Sequence, residues 1–557
     1  MAIDRKGRVR TKNYKIVVEL TQDLKCEFLC TTLLVLLTPQ FLYMRRSFPD
    51  HFETGTTPVY SDHPGDTDEA EECLAKEPPT PEVKHSDWGW KTKVFVFFLA
   101  FFCGFFTGYQ PASPCVFAFH AVYLSLLHKE SRIWLRWIIS VLLAFSFALA
   151  SSTVIRGISG TSMLYSFGMA LLIGLGIVHV EFIAAHVHFR LNSRWRYTGL
   201  LFVYPVIVGA LFSIVGNFTS FGTQLSPGYE LVDWLSFIQI VSVFGLSGLN
   251  VIILSISTLL AHYYVIDARN ARKRRIAGII AISLFLFTWL FGAIRLAAPA
   301  MYQKSVADLA VPAQDRILGA CLLRNGTATE TVLRSGFVKL VVWSEAAHGA
   351  SVGVPALQQL STQYNAAIAA TQGSYMIFID PGQTAPLFVF KKGNPAPFMD
   401  HDRSKGHPVA LGRSSVIGDF NAAICFDFDN PEYMRSGVTT GLMIQPANVG
   451  GVAGLFAQVP AVFRSIENGS YLLRCASKGV SGVWDQYGRT ELSALTTGDD
   501  IVMFHIPRTR DKIWTFYAHV GFVFDYILLA LAGACILLYG FAVWPKIRGF
   551  LPTTTNT

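Results

Sequence analysis

Three side chains with complementary chemistry, a thiol, a carboxylate and an amine, stand at the ends of separate apolar runs. Cys425 follows the run 415–424, Glu345 follows 337–344 and Lys392 follows 386–391. Apolar runs of this length are typical of buried strands, and strands that end at one edge of a sheet would bring the three side chains together. A thiol becomes a strong nucleophile when a base or a cation favours the thiolate. The pattern therefore predicts a cysteine nucleophile, although Cys425 taken alone is more typical of a buried structural thiol.

The composition indicates a membrane protein. Of the 557 residues, 52% are hydrophobic and 15% are charged, whereas about 25% charged residues is typical of soluble domains. The formal net charge is +8, but the basic residues lie between apolar runs, which indicates membrane topology rather than nucleic-acid binding. The nine cysteines form no CxxC pair, so neither a zinc site nor a disulfide framework is indicated, and we expect no metal or cofactor.

Long apolar runs predict the transmembrane segments. Seven runs fall within residues 91–300 and an eighth within 516–545, most of them near the roughly 20 residues that a spanning helix needs. The runs cover about 94–108, 114–128, 134–155, 162–188, 198–216, 234–264, 277–300 and 518–544. Residues 301–515 lose this character, and residues 546–557 form a short polar tail.

The first 90 residues differ from the rest. They begin with a basic stretch, and the apolar run 27–44 is short for a span, so we interpret it as interfacial or partly inserted. Residues 47–90 are acidic and rich in Pro and Thr, which is typical of a disordered linker.

Lysine and arginine alternate between loops in a way that gives the orientation. They are concentrated before the first span and in every second loop after it, while the intervening loops are nearly free of them. Because positive loops face the cytoplasm, residues 301–515 are predicted on the extracytoplasmic or lumenal side and the C-terminal tail in the cytoplasm. Glycosylation sequons at Asn217 and Asn325 fall on the same far side.

Residues 301–515 alternate strand-like and helix-like runs, which predicts an α/β layered domain. The strand-like runs are 316–323, 337–345, 374–380, 386–391, 415–426, 440–446, 471–476 and 480–484. Residues 354–371 and 453–468 have apolar residues at helical spacing.

Three motifs in this domain resemble, in order, the catalytic motifs of the nitrilase, or carbon–nitrogen hydrolase, superfamily. They are Trp343-Ser344-Glu345, Phe390-Lys391-Lys392 with Pro397-Phe398-Met399-Asp400, and Ile424-Cys425-Phe426-Asp427. Seven spans before such a domain and one after it resemble the apolipoprotein N-acyltransferase family, as do Trp234, Gln239, Gly245 and Gly248 in the sixth span. The resemblance implies a polytopic α-helical membrane domain joined to a nitrilase-like αββα sandwich.

The resemblance also implies roles for individual residues. Cys425 is the expected nucleophile and Glu345 the expected general base. Lys392 and the backbone N–H of Phe426 would stabilise the oxyanion, and Asp400 stands where the family usually has a second glutamate. Lys391 is the alternative to Lys392, but the spacing to the Pro-Phe pair favours Lys392.

The activity implied is transfer of an acyl chain from a phospholipid, through a cysteine thioester, to an amine. The expected partners are a phospholipid donor, an amine acceptor such as a lipoprotein N-terminus, and the membrane. A membrane-anchored amidase and a non-enzymatic scaffold are the alternatives. Residues 445–450 depart from the family's Asn-Asp-Ala-Trp-Phe-Gly-like loop, which leaves the acceptor open.

Several other residues allow two readings. Asp427 either belongs to the site or caps a helix expected near Pro431. Arg295, within the seventh span, could face the α/β domain or a lipid headgroup, but snorkelling to the interface is favoured. Cys321 and Cys475 are expected to be core thiols. His179, Glu181, His186 and His188 are expected to be interfacial polar residues rather than metal ligands.

Overall fold

The computed structural model describes the chain from residue 88 to residue 548 with short gaps. The described ranges are 88–109, 113–159, 162–194, 198–219, 222–224, 226–266, 270–302, 316–323, 326–347, 352–396, 406–449, 457–496, 501–507 and 511–548. The chain divides into two units, Met1–Trp88 and Gly89–Thr557, and every element below belongs to the second. The predicted segment 27–44, the sequon at Asn325 and the predicted site residue Asp400 lie outside the described residues.

Helices, most of them long, make up the membrane domain. They are α1 (Trp90–Tyr109), α2 (Ser113–Lys129), α3 (Ile133–Ser159), α4 (Met163–Arg194), α5 (Val203–Phe218), α6 (Leu235–Ile238), α7 (Val241–Ala261), α8 (Ala271–Tyr302) and, after the α/β domain, α13 (Phe516–Arg548). Within the described chain, six helical segments are long and apolar enough to cross a membrane: Ile133–Ser152, Met163–Ser193, Gly199–Phe218, Val241–Ile266, Ala271–Ala298 and Phe516–Val543. The protein is therefore a multi-pass membrane protein.

Helices also occupy the positions of the first two predicted spans, but neither is among these six. The helix α2 has 17 residues, which is short of the roughly 20 that a bilayer requires. The predicted sixth span, 234–264, is not one helix either, because α6 and α7 are separated and α7 is itself broken at Gly245.

The break at Gly245 joins the membrane helix to the α/β domain. Gly245 has a φ of 64°, and a Cβ there would stand 2.3 Å from the ring of Tyr517. A break of this kind removes a helical acceptor from a nearby N–H. The N–H of Leu246 instead donates to the carboxylate of Glu467 at 2.9 Å.

Two six-stranded sheets form the α/β domain. Its strands are β1 (Arg316–Leu322), β2 (Leu340–Trp343), β3 (Ala367–Gln372), β4 (Tyr375–Ile379), β5 (Phe388–Lys391), β6 (Ala410–Ser414), β7 (Gly418–Ala422), β8 (Leu442–Ala447), β9 (Tyr471–Ala476), β10 (Gly479–Trp484), β11 (Thr490–Thr496) and β12 (Ile501–Pro507). The orders are β12-β1-β2-β3-β4-β5 and β11-β10-β9-β8-β7-β6. In each sheet the three central strands, β1-β2-β3 and β7-β8-β9, are parallel, and the flanking pairs are antiparallel.

The two sheets pack face to face over one apolar core. Phe378 of β4 and Phe420 of β7 meet across it with ring centroids 4.4 Å apart. The domain's helices are α9 (Thr329–Leu333), α10 (Val354–Tyr364), α11 (Pro431–Gly437) and α12 (Val459–Asn468). The first two pack on the first sheet, and α12 contacts β9 of the second. This is an αββα sandwich next to a helical membrane domain, and the predicted fold class is confirmed.

Some strands differ from the sequence prediction. Residues 354–371 were expected to form one helix, but α10 ends at Asn365, which has a φ of 49°, and Ala367 begins β3. The alanines of β3 favour a helix intrinsically, but burial between two neighbouring strands outweighs that preference. The strands β6, β11 and β12 were not predicted because each lies at the edge of a sheet and carries polar or exposed residues that hide the apolar pattern.

Candidate active site

Strands from both sheets place the three predicted site residues. Glu345 follows β2 by two residues and Lys392 comes directly after β5. Because β2 and β5 run in the same direction, both side chains lie at one edge of the first sheet. Cys425 lies three residues beyond β7 of the second sheet. The candidate site is therefore a cleft between the ends of the two sheets.

The lysine and the glutamate form a buried ion pair. The ammonium of Lys392 donates to Oε1 of Glu345 at 3.0 Å, and the backbone N–H of Asn448 donates to Oε2 at 3.1 Å. The side chains are only 3% and 11% exposed. Both carboxylate oxygens thus have donors, which holds the group in one orientation.

A tight 3₁₀ turn, Cys425–Asp429, carries the thiol. Cys425 is half-buried and has a φ of 46°, a left-handed conformation that a non-glycine residue adopts only when its surroundings impose it. Asp427 supplies part of that constraint, because its carboxylate accepts from the N–H of Ile424 at 2.9 Å and of Asn394 at 2.6 Å.

The side chain of Asp427 therefore closes the nucleophile's own turn. The helix α11 after it is capped by Asn430, whose side chain accepts from the N–H of Tyr433 at 2.9 Å. The reading of Asp427 as the cap of the Pro431 helix was wrong. Burial raises the pKa of Asp427 to about 7, against the opposing effect of the two N–H donors.

Two residues that the sequence analysis did not select hold the backbone of the nucleophile. The side-chain amide of Gln445 donates to the carbonyl of Cys425 at 2.9 Å, and Arg474 donates to the amide oxygen of Gln445 at 2.6 Å. Gln445 belongs to β8, which overlaps the predicted strand 440–446, so the first residues of the segment 445–450 continue that strand. Arg474 is 1% exposed. An arginine within an apolar run is the only feature of the sequence that points to it, and its burial becomes evident only once β9 is known to be a central strand.

The surroundings set the protonation of the thiol. Burial raises the pKa of Cys425 to about 12, and the charge of Glu345 raises it further, while Lys392, the N–H of Asn448 and Arg474 act in the opposite direction. A thiol with so high a pKa is protonated at neutral pH. A thiol in that state attacks only when a base removes its proton. The predicted base is Glu345, whose charge acts on this thiol.

The membrane domain contacts the nucleophile turn directly. In the loop between α5 and α6, the N–H and the hydroxyl of Thr223 both donate to the carbonyl of Asp429, at 2.9 and 2.8 Å. The phenol of Tyr229 lies 2.5 Å from the same hydroxyl. A Cβ on Gly222 would stand 2.8 Å from the Asp429 carbonyl oxygen. No pattern in the sequence indicates this contact, which joins two residues 206 positions apart.

The remaining predicted site residues have simple placements. Phe426 is the second residue of the turn, directly after the nucleophile. Lys391 is the last residue of β5, and its backbone N–H donates to the ring of His407 at 3.2 Å. Cys321 and Cys475 are buried free thiols, as predicted.

The polar residues of the membrane helices have separate partners. Arg295 lies over the ring of Tyr487, 5.3 Å from its centroid, so it faces the α/β domain and the preference for snorkelling was wrong. Glu181 lies 3.9 Å from His120, and His188 lies 2.9 Å from His262. In the described part of the chain, no group of three or more His, Cys, Asp or Glu residues could hold a metal ion.

The chain was also compared with known proteins. No protein-family model matches it, and no curated protein matches it. Solved structures of an amidase from Nesterenkonia sp. are similar, at 14% identity, a TM-score of 0.29 and coverage of 36% of this chain and 93% of the other. A mutant of the amidase from Nesterenkonia sp. AN1 with the acetamide moiety of fluoroacetamide covalently added at its active-site cysteine is similar at 14% identity, a TM-score of 0.30 and the same coverage. A further mutant, described as an amidase from the nitrilase superfamily, matches at 14% identity and a TM-score of 0.29. These three solved structures are of amidases, and the last is described as belonging to the nitrilase superfamily.

Proposed function

We propose that this protein is a membrane-embedded N-acyltransferase that moves an acyl chain from a phospholipid to an amine through a thioester on Cys425. The α/β domain faces the extracytoplasmic or lumenal side, in agreement with the distribution of basic residues among the loops.

In the first half-reaction, Glu345 takes the proton of the Cys425 thiol while the sulfur attacks the ester carbonyl carbon. The negative charge that develops on the carbonyl oxygen faces Lys392 and the backbone N–H of Phe426. The carbon–oxygen bond of the ester then breaks. Protonated Glu345 returns its proton to the leaving alkoxide, which departs as a lysophospholipid, and the acyl group remains on sulfur.

In the second half-reaction, a neutral amine attacks the thioester carbonyl. Glu345 accepts a proton from the attacking nitrogen, the carbon–sulfur bond breaks, and the proton passes to the departing thiolate. The products are an amide and the free thiol, so protons and bonds balance over the cycle. This order of events is a ping-pong mechanism.

One observation carries the proposal: Thr223, in a loop between membrane helices, hydrogen-bonds the turn that begins at Cys425. The nucleophile is thereby tied to the membrane domain on one side, while Glu345 and Lys392 border it on the other. A turn held against the membrane domain suits a donor that is itself a membrane lipid.

The test uses the full-length protein in nanodiscs that contain a phospholipid with an isotope-labelled acyl chain. We expect intact-mass and peptide analysis to find one labelled acyl group on Cys425, together with released lysophospholipid. Adding a peptide with a lipid-modified N-terminal cysteine should move the label onto the peptide amine. Cys425→Ala should abolish the adduct, whereas Cys535→Ala, which removes another half-buried thiol, should retain it.

Other results would reject the proposal. Label retained in Cys425→Ala contradicts the assigned nucleophile. If the protein forms no lipid adduct but releases ammonia from small amides in a Cys425-dependent manner, the protein is an amidase, because the same three side chains serve both reactions.

A further inference from the structure

A cavity of about 410 Å³ lies beside the start of the last membrane helix. We name it the interfacial cavity and define it by Arg435, Ser436, Thr439, Lys512, Trp514 and His519, which are among its lining residues. None of these residues belongs to the candidate active site. Its volume falls within the range of about 300–1,000 Å³ that is usual for small-molecule sites.

The cavity adjoins the N-terminal end of α13, which is a candidate membrane span. The candidate span begins at Phe516, only two residues after Trp514. The guanidinium of Arg435, which belongs to the α/β domain, lies 4.9 Å from the ring centroid of Phe522, less than two turns into that span. Trp514 is 64% exposed, and exposed tryptophans next to a span are typical of the headgroup region of a bilayer.

The cavity is positively charged. Its lining in the described residues includes the basic side chains Arg435, Lys512 and His519 and no acidic side chain. Glu432, which lies outside the lining, forms an ion pair with Arg435 and so neutralises the charge of the arginine. The Lys512 ammonium instead donates to a backbone carbonyl, that of Val438, and no acidic side chain of the described residues lies within 4.0 Å of it.

The environment of Lys512 explains why an anion would bind there. Burial lowers the pKa of Lys512, because removing an ammonium from water without a counter-charge is unfavourable. A phosphate next to it would supply that counter-charge. His519, whose Nδ1 lies 2.9 Å from the carbonyl of Thr515 and whose ring stacks on Trp514, lies at the same wall. The hydroxyl groups of Ser436 and Thr439 add further polar lining.

We propose that the interfacial cavity binds the headgroup phosphate of an anionic phospholipid, with Lys512 as the principal cation. A bound lipid would hold the α/β domain against the bilayer through contacts separate from the chemistry at Cys425. A phosphate diester and free inorganic phosphate share the chemistry that Lys512 recognises, but only the lipid also places acyl chains along α13 next to Trp514.

The test measures binding to the full-length protein in detergent. Short-chain phosphatidylglycerol, short-chain phosphatidylcholine and inorganic phosphate are titrated separately, and retained ligand is counted by native mass spectrometry. We expect phosphatidylglycerol to bind most tightly and Lys512→Gln, which keeps a donor for the Val438 carbonyl but removes the charge, to weaken its binding about tenfold. Lys512→Arg should restore binding.

Lys339→Gln is the matched control. Lys339 also donates to a backbone carbonyl, that of Tyr364, but in the α/β domain away from the membrane helices. This variant should bind phosphatidylglycerol as the wild type does. Equal binding by the wild type and Lys512→Gln would overturn the proposal, and so would inorganic phosphate binding as tightly as the lipid.

A second measurement needs no variant. The wild-type protein is treated with an amine-acylating reagent with and without phosphatidylglycerol, and modification of Lys512 is quantified by peptide mapping. We expect the lipid to slow modification of Lys512 several-fold and to leave Lys339 unchanged. Unchanged modification of Lys512 would contradict the proposal even if Lys512→Gln failed to fold. Neither result depends on acyl transfer at Cys425.

Discussion

Two buried ion pairs with the same 3.0 Å contact occupy different regions of the molecule. Lys392 and Glu345 meet in the cleft beside the nucleophile, and the glutamate is 11% exposed. Arg464 and Glu467 meet on α12, next to the membrane helices, and both are fully buried. The first carboxylate has a backbone donor near the thiol, whereas the second accepts from Leu246 at the break in α7.

The difference shows that burial alone does not identify a catalytic acid. Burial raises the pKa of Glu467 to about 7, yet no described nucleophile is placed to use it as a base. Burial likewise raises the pKa of Asp429 to about 7. The backbone carbonyl of Asp429 accepts the hydrogen bonds from Thr223. Proximity to the half-buried thiol is what distinguishes Glu345. The four predictions below test whether the two pairs have separate roles, one in chemistry and one in stability.

The largest effect is expected from Glu345→Gln. The amide has the size of the carboxylate and can still accept from Asn448, but it cannot take a proton from the thiol. Loss of a general base costs about 10²–10⁴-fold, and we expect the rate of acyl-adduct formation on Cys425 to fall by that amount. A time course with labelled phospholipid measures it. A rate within a few-fold of the wild type would remove Glu345 from the mechanism.

The second effect concerns stability rather than chemistry. Glu467→Ala leaves the Arg464 guanidinium buried without its partner, and breaking a buried pair in this way costs about 3–5 kcal/mol. Denaturant unfolding of the full-length protein in detergent measures it. Glu330→Ala is the matched control, because Glu330 pairs with Arg334 at an exposed site, where such pairs contribute about 0–1 kcal/mol.

The pH dependence sharpens this second prediction. With its pKa raised from 4.5 to about 7 in the folded state, Glu467 binds its proton more tightly when folded than when unfolded. Its contribution to stability is therefore present at low pH and is lost as pH rises from about 4.5 to about 7. Glu467→Gln should make the unfolding free energy less dependent on pH in this window. An unchanged slope would contradict the assignment.

The third effect concerns the titration of the thiol. Because Glu345 raises the pKa of Cys425 and Lys392 lowers it, Glu345→Gln should lower that pKa, by about 1–3 units. Alkylation of Cys425 by iodoacetamide at pH 8 should thus become faster in the variant whose acyl transfer is slower. Lys392→Met should slow alkylation. If both variants shift the alkylation profile in the same direction, the opposed charges do not control the thiol.

The smallest effect is expected from Thr223→Val. The hydrogen bond from the Thr223 hydroxyl to the Asp429 carbonyl is lost, while the backbone hydrogen bond remains. Loss of one such hydrogen bond lowers the unfolding free energy by about 0.5–1.5 kcal/mol. We expect acyl-adduct formation and alkylation of Cys425 to slow a few-fold together, with the unfolding free energy lowered by no more than that amount. Thr223→Ser, which keeps the hydroxyl, should restore both rates. Lower stability with normal thiol reactivity would make the contact structural only.

Much of the architecture could be predicted because its physical signals are local. Membrane helices require long runs with few charges, and Phe516–Val543 is such a run. The central strand β2 is fully buried, and its sequence is apolar without interruption. Edge strands such as β11 lack that signal, since one side of an edge strand faces solvent and tolerates polar residues.

The sequence by itself determined the chemistry that is available and the order of its parts. A thiol, a carboxylate and an ammonium each follow an apolar strand, and strands with a common direction end at a common edge, so Glu345 and Lys392 share an edge once both lie in one sheet. Their direct contact depends on the tertiary structure, because β3 and β4 lie between β2 and β5. Only the tertiary structure decided which groups surround them. Some groups reach the site through backbone positions or through contacts between distant segments, as Gln445, Asn448 and Thr223 do. Local composition does not reveal contacts of either kind. The same holds for Lys512, whose charge has a consequence only because folding encloses it beside the last membrane helix.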